Sequence, residues 1–197
     1  MKPVNVITGK GVPLERSDVD TDQIIPSDWL KRVERTGFGA GLFSEWRDDR
    51  DFVLNRPEHQ GAVVLVAGPN FGTGSSREHA VWALMDYGFE VVISSRFADI
   101  FRNNCTKQGL LPVVLPEETV QVIQAGLSAS PEAEVTVDLT KQQVEVPALG
   151  ISASFEIDAF TRERLLNGWD DIGLTLRHEG EIDSFEAARP AYLPSSR

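Results

Sequence analysis

The chain has 197 residues, 41% hydrophobic and 25% charged, which fits a folded protein with a sizeable core and excludes a disordered one. Its net charge of −11 opposes nucleic-acid binding, because phosphates would be repelled, yet leaves room for a small anion gripped by a local arginine. No apolar run approaches the ~18 residues of a membrane helix.

The N-terminal Met1-Lys2-Pro3-Val4-Asn5-Val6 lacks the apolar core of a signal peptide. Val4 to Leu14 is apolar with two glycines and reads as a strand or the start of a hairpin. Residues 17–60 show little regular pattern and carry Asp18, Asp20, Asp22, Arg32, Arg35, Arg47 and Arg50; so long an irregular stretch is either functional or disordered. Within it, Asp48-Asp49-Arg50-Asp51 reads as a solvated loop, and His59, with no motif around it, as a surface residue. Ala62 to Ala67 is a strand, followed by a glycine turn and a helix over 76–87. Ser75 and Glu78 stand in the spacing of a capping box, Ala80, Ala83, Leu84 and Tyr87 form one buried stripe, and Gly88 closes the helix. Trp82 lies beside that stripe and reads as a core or interface residue.

Phe89 to Ser94 is the next strand, and Phe97 to Asn104 a short helix ended by a turn near Gly109. Cys105 is the single cysteine, which excludes an internal disulfide framework, and it reads as a small buried filler. After the strand Leu110 to Leu115, Pro116 and Glu117 open a helix with proline at the first-turn position. Val135 to Leu139, Val144 to Pro147 and Ile151 to Ile157 alternate in polarity as short strands. Two or three helices follow, broken at Gly168 and Gly180, with His178 on the surface and residues 190–197 as a loose tail. This order predicts one α/β domain over 1–197, a mixed sheet flanked by helices, and the composition, charge, single cysteine and missing signal core together predict a cytoplasmic protein with neither a membrane nor a nucleic-acid partner.

The chemistry concentrates in Gly68-Pro69-Asn70-Phe71-Gly72-Thr73-Gly74-Ser75-Ser76-Arg77-Glu78-His79-Ala80. Glycines allow a tight turn and close approach to a small molecule, and the following helix points free N–H groups and its positive end at the ligand. Two hydroxyls and a guanidinium within one turn suit a carboxylate or phosphate. A plain cap needs neither the glycines nor an arginine set against the helix dipole. A dinucleotide site begins with the same strand, turn and helix. Here, however, its third glycine would fall on Arg77, and the next strand ends in Ser94-Ser95-Arg96 instead of an acidic residue. A Walker loop is excluded by the missing Gly-Lys-Ser/Thr.

The stretch Asn70 to Ala80 resembles a signature of the swivel domain of the aconitase superfamily. Asp18-Val19-Asp20-Thr21-Asp22-Gln23-Ile24-Ile25-Pro26 resembles that domain's second signature, and Ser95 to Cys105 with Gly109-Leu110-Leu111-Pro112 a third. Arg35-Thr36-Gly37-Phe38-Gly39 and Asp170 to Leu176 match as well. The likeness runs from about Gly11 to Arg189 and is strongest to the separate small subunits of the 3-isopropylmalate dehydratases.

The resemblance implies a swivelling β/β/α domain acting as part of a hydro-lyase. That enzyme would interconvert 2- and 3-isopropylmalate in leucine biosynthesis. It also implies a [4Fe–4S] cluster that accepts the leaving hydroxyl as a Lewis acid, held by three cysteines with one iron open. A chain with one cysteine cannot build that cluster, so no cofactor or metal is expected on it, and a large subunit would carry the cluster. By the family pattern Ser75 is the base that takes a C–H proton beside a carboxylate, Ser76 hydrogen-bonds the substrate, and Arg77 holds a carboxylate bidentately. Gly74 and Thr21 join the substrate-binding set. Asp22 orients an arginine or the substrate's hydroxyl network, whereas Asp18 and Asp20 are equally well read as turn residues. His79 is implied to lie behind the site.

Ile25 stands where aconitases carry a serine, and the aconitase arginine after Trp29-Leu30-Lys31 has no clean counterpart: Val33 lies between Arg32 and Arg35. Residues 28–37 are therefore read as the specificity loop, with Val33 an apolar contact and Arg35 a substrate contact. One buried methylene distinguishes substrates by only ~1–3 kcal/mol, so citraconate/methylmalate and homoaconitate enzymes stay open as alternatives.

Overall fold

β1 (Val6–Leu14) pairs with two different neighbours along its length, and this organises the sheet. In the computed structural model, which describes residues 1–31, 36–190 and 192, Gly11 to Leu14 run parallel to β2 (Val64–Ala67). Val6 to Lys10 instead run antiparallel to β5 (Glu134–Asp138). β3 (Val91–Ser94) and β4 (Leu111–Val114) extend the parallel half. On the other side, β6 (Gln143–Val146) and β7 (Ile151–Ser154) extend the antiparallel half. The order across the seven strands is β4-β3-β2-β1-β5-β6-β7.

Helices fill the crossovers that parallel pairing demands. α1 (Thr21–Ile24) and several 3-10 turns lie between β1 and β2, α2 (Glu78–Tyr87) joins β2 to β3, and α3 (Asp99–Gln108) joins β3 to β4. α4 (Glu117–Ala129) leads into the antiparallel meander, and α5 (Ala159–Asn167), α6 (Asp171–Leu176) and α7 (Glu179–Ala187) finish the chain. Both faces of the parallel strands are covered, which is why β2 and β3 read as unbroken apolar runs. Leu65, Ala67 and Val92 face a core shared with α2, α3 and residues 19–25 and 38–54; Val64, Val66, Val91 and Ile93 face one shared with α4, β5 and β6. Among the described residues, no helix is long and apolar enough to cross a membrane.

Several sequence expectations need correction. The Ser75–Glu78 capping box is not formed: α2 starts at Glu78 after Arg77, which makes no side-chain cap bond. Gly74 has φ +86°, outside helical space, and the Ser75 carbonyl accepts the Thr21 hydroxyl, so residues 73–76 are held as a turn. Pro116 is the N-cap of α4 and precedes its first turn. α3 continues to Gln108, and Gly109, in the left-handed region at φ +96°, ends it. Gly168 does end α5, but Gly180 sits inside α7.

The irregular stretch is a core element. Val19, Ile24, Ile25, Phe38, Leu42 and Phe43 are all buried from it, with no period that a pattern could reveal. His59, expected on the surface, is only 3% exposed, and its Nδ1 has no hydrogen-bond partner in the described structure.

Burial lowers the His59 pKa from its ordinary 6.5, because the charged imidazolium is poorly solvated there. Unfolded chains then bind the proton more readily than folded ones, so stability should fall as pH drops through 6.5 toward the lower folded value. Asp138 and Asp158, held below the ordinary carboxylate range by hydrogen bonds from Lys141 and Thr161, lose their contributions only in more acid solution. Denaturant unfolding across the range just below neutrality should show this decline in the wild type and a flatter profile in His59→Gln.

Candidate functional site

The turn after β2 passes so close to other segments that side chains are excluded at two glycines. A Cβ on Gly68 would lie 2.5 Å from the Arg16 carbonyl oxygen, and one on Gly72, at φ +80°, would lie 2.2 Å from the Phe101 ring. The segment after β1 is stitched to this turn. Gly72 and Thr73 N–H groups donate to the Val19 carbonyl at 2.8 and 3.2 Å, and the Thr21 N–H donates to the Thr73 carbonyl at 2.9 Å. Thr21 Oγ1 then donates to the Ser75 carbonyl at 2.9 Å.

On the other side, Phe71 N–H donates to the Arg96 carbonyl and Ala98 N–H to the Phe71 carbonyl, at 3.0 and 3.1 Å. Ser94, fully buried, donates through Oγ to the Gly68 carbonyl at 2.7 Å and contacts the Arg96 carbonyl at 2.9 Å. These bonds bring together three segments that lie far apart in the chain.

Between them lies a cavity of about 220 Å³ lined by Thr21, Gly74, Ser75, Ser76 and Arg77, with Ala98 to Phe101 opposite. α2 and α3, ten residues each, both begin at this cavity, so the positive ends of two helices favour an anion there. Ser75 and Ser76 are exposed and open to a ligand. Arg77 Nη1 is paired with Asp22 Oδ1, with side chains 21% and 55% exposed. That contact occupies one corner of a five-donor fork and leaves further N–H groups for a ligand carboxylate. It also offsets the cost of placing a guanidinium at a helix N-terminus.

The structure therefore assembles Ser75, Ser76, Arg77, Gly74, Thr21 and Asp22 in one place. Val33 and Arg35 lie outside the described residues. Of the expected specificity loop, Asp28 to Lys31 belong to a 3-10 turn, and Gly37 leads into Phe38. The Phe38 N–H donates to Asp86 Oδ2 at 3.0 Å, and its ring packs edge-on against His79 at 5.3 Å. Asp18 accepts from Asn70 Nδ2 at 2.7 Å, and Asp20 caps α1 in a reciprocal pair with Gln23.

Sequence reasoning did not foresee the first turn of α3 in the cavity wall, where Ile100 is 54% exposed. The available signal was the Ser95–Cys105 motif, which carried no assigned role. Cys105 itself is fully buried, and burial pushes its thiol well above its usual range, away from the thiolate a metal needs. With one cysteine in the chain, a three-cysteine ligand set for an iron–sulfur cluster cannot be assembled here.

A family model described as the aconitase C-terminal domain matches residues 1–118, and one for the C-terminal domain of the 3-isopropylmalate dehydratase small subunit matches 171–194. Proteins described as 3-isopropylmalate dehydratase small subunits are similar over the whole chain. That of Parafrankia sp. (strain EAN1pec) is 64% identical over 196 residues, covering 100% of both chains. That of Rubrobacter xylanophilus is 64% identical over 194 residues, covering 98% of both. A crystal structure titled 3-isopropylmalate dehydratase from Methanocaldococcus jannaschii superposes with a TM-score of 0.68 at 27% identity, covering 92% of this chain and 99% of that one.

Gly72→Ala should cost about 2–4 kcal/mol, combining left-handed backbone strain with a clash against Phe101. Gly61→Ala, at φ +73° with nothing within 4 Å, is the control for strain alone and should cost about 1–2 kcal/mol. Urea unfolding of the two variants separates the contributions.

Proposed function

The chain belongs to the family of 3-isopropylmalate dehydratase small subunits in the aconitase superfamily, and from that membership we propose how its own residues share in the reaction. The family is a hydro-lyase that interconverts 2- and 3-isopropylmalate through isopropylmaleate in leucine biosynthesis. It works as a complex with a large subunit that holds the iron–sulfur cluster. The observation that carries the proposal is the cavity where Ser75, Ser76 and Arg77 meet the starts of two helices.

The substrate in this reading is a small dicarboxylate, one carboxylate held by the open side of the Arg77 fork and the helix N–H groups. Asp22 fixes the guanidinium plane from behind. Ser75 acts as the base: as an alkoxide it takes the proton from the carbon beside the carboxylate, the C–H electron pair becomes the double bond, and the C–O bond on the next carbon breaks with its electron pair leaving on the oxygen, a departure that the large subunit's cluster would assist as a Lewis acid. Readdition of water at the neighbouring carbon yields the isomer. A serine is a weak base, so its anionic form depends on the helix ends and Arg77. Thr21 holds the Ser75 carbonyl and sets the direction of the residue, Gly74 lets the turn reach the substrate, and Ser76 hydrogen-bonds it.

Residues 28–37, with Val33 and Arg35, are the proposed specificity loop. We further read residues 1–197 as one swivel domain, in a cytoplasmic enzyme without nucleic-acid or membrane partners. The acidic excess and the composition support that reading. Citraconate/methylmalate and homoaconitate are the competing substrates.

Anaerobic turnover of isopropylmalate, isopropylmaleate and citraconate should appear only when this chain and a reconstituted large subunit are mixed, and be fastest with the isopropyl substrates. In the mixture, Ser75→Ala should lower kcat by about 10³-fold or more without changing subunit affinity. Arg77→Lys, which keeps the charge but loses the fork, should raise KM by roughly 10–100-fold. Near-normal turnover by Ser75→Ala would remove Ser75 as the base.

A further inference from the structure

A second and larger crevice, about 890 Å³, opens beside the substrate cavity at the carboxyl ends of the same parallel strands. Its wall comes from residues just past β2 (Asn70), β3 (Ser95 and Arg96) and β4 (Pro116 and Glu117), with Arg102 on α3 and Glu156 beyond β7. The two hollows are continuous in sequence. The turn 69–77 and the segment 95–102 contribute to both, so the Ser95–Cys105 motif serves each.

Charge is arranged across this crevice without being neutralised in it. Arg96 is exposed and Arg102 half-buried, while Glu117 and Glu156 are exposed. Among the described residues, none of the four forms an ion pair. Arg102 acts on Asp158 only through space, and Glu117 takes a hydrogen bond from Gln121 at 3.3 Å.

If Ser75 and the large subunit act on one substrate molecule, the large subunit must cover this end of the sheet. Covering the crevice strips water from two guanidinium and two carboxylate groups. Each would cost several kcal/mol if left unpaired, so the covering surface has to supply opposite charges. We propose that the crevice lined by Arg96, Arg102, Glu117 and Glu156 is the docking groove for a charged segment of the large subunit. That segment carries a carboxylate for the arginines and a cation for the glutamates. The proposal rests on the reading above that this chain and the large subunit share one active site, the split-site reading. A small free anion fits less well: the glutamates repel it, and it fills only part of a space four times the size of the substrate cavity.

The test is the dissociation constant between the full chain and the reconstituted large subunit, measured at rising salt for wild type, Arg96→Glu and Glu156→Lys. Both variants should weaken association roughly tenfold and flatten its salt dependence, with kcat at saturating large subunit kept within about twofold. Dissociation constants within about twofold of wild type for both variants would overturn the proposal. So would lost kcat with affinity intact, which would mean that the crevice serves the substrate. A third overturning result is inorganic phosphate raising the Tm of the wild-type chain but not of Arg96→Glu while subunit affinity is unchanged, which would mark a small-anion site. Should Arg96→Glu fold poorly, Glu156→Lys, just beyond β7, decides alone. Failure of the wild-type chains to associate or turn over would overturn the split-site reading along with this one, whereas unaffected variants in an active complex overturn only the docking groove.

Discussion

Four hydrogen bonds hold Val19 to Thr21 against Gly72 to Ser75, and the site exists only where that seam is closed. Two of the bonds converge on the Val19 carbonyl, and the Thr21 hydroxyl closes the last. Each contributes about 1 kcal/mol in net terms, yet their effect on geometry is larger than that sum. They hold residues 73–76 out of helical space, delay α2 until Glu78 and leave the two serines standing free at its start. The same seam brings Asp22 to Arg77. Glycine at position 72 is the steric condition for all of it, because the turn lies directly on Phe101.

The electrostatics of the site are local and run against those of the molecule. A chain of net charge −11 presents at one end of its sheet the positive ends of α2 and α3 with Arg77, and beside them Arg96 and Arg102. Screening confines the acidic excess elsewhere to within about 8–10 Å of its sources, so the cavity is governed by what lines it. Asp22 tempers Arg77 without neutralising the site. The cavity and the charged crevice both lie at one sheet end, where the parallel strands turn into their helices.

Much was legible because local pattern and tertiary position coincide. β2, β3 and β4 are short apolar runs bounded by turns, and the stripe through Ala80, Ala83 and Leu84 faces the core as its spacing predicts. Ser75, Ser76 and Arg77 are contiguous, so their grouping could be read directly, and all three line one cavity. Segment 17–60 was opaque for the opposite reason. Its buried residues, Phe38, Leu42 and Phe43 among them, follow no helical or strand period, because 3-10 turns and loops bury side chains wherever the chain bends inward. His59 looked like a surface residue because no pattern marks the burial of a lone histidine. The capping box failed because its spacing is a local rule that a tertiary hydrogen bond to Ser75 overrode.

By itself the sequence determined the alternation of strands and helices, the grouping of two hydroxyls and a guanidinium at the glycine turn, and the lack of a cysteine set for a cluster. Each of these depends on neighbours within a few residues or on composition. Tertiary structure alone decided that Thr21 and Asp22 meet Ser75 and Arg77 from more than fifty residues away. It also decided that the first turn of α3 forms the opposite wall of the cavity, and that β1 divides its pairing between a parallel and an antiparallel half. Those are long-range contacts, selected by how the whole sheet buries its two faces, and no local window of residues carries that information.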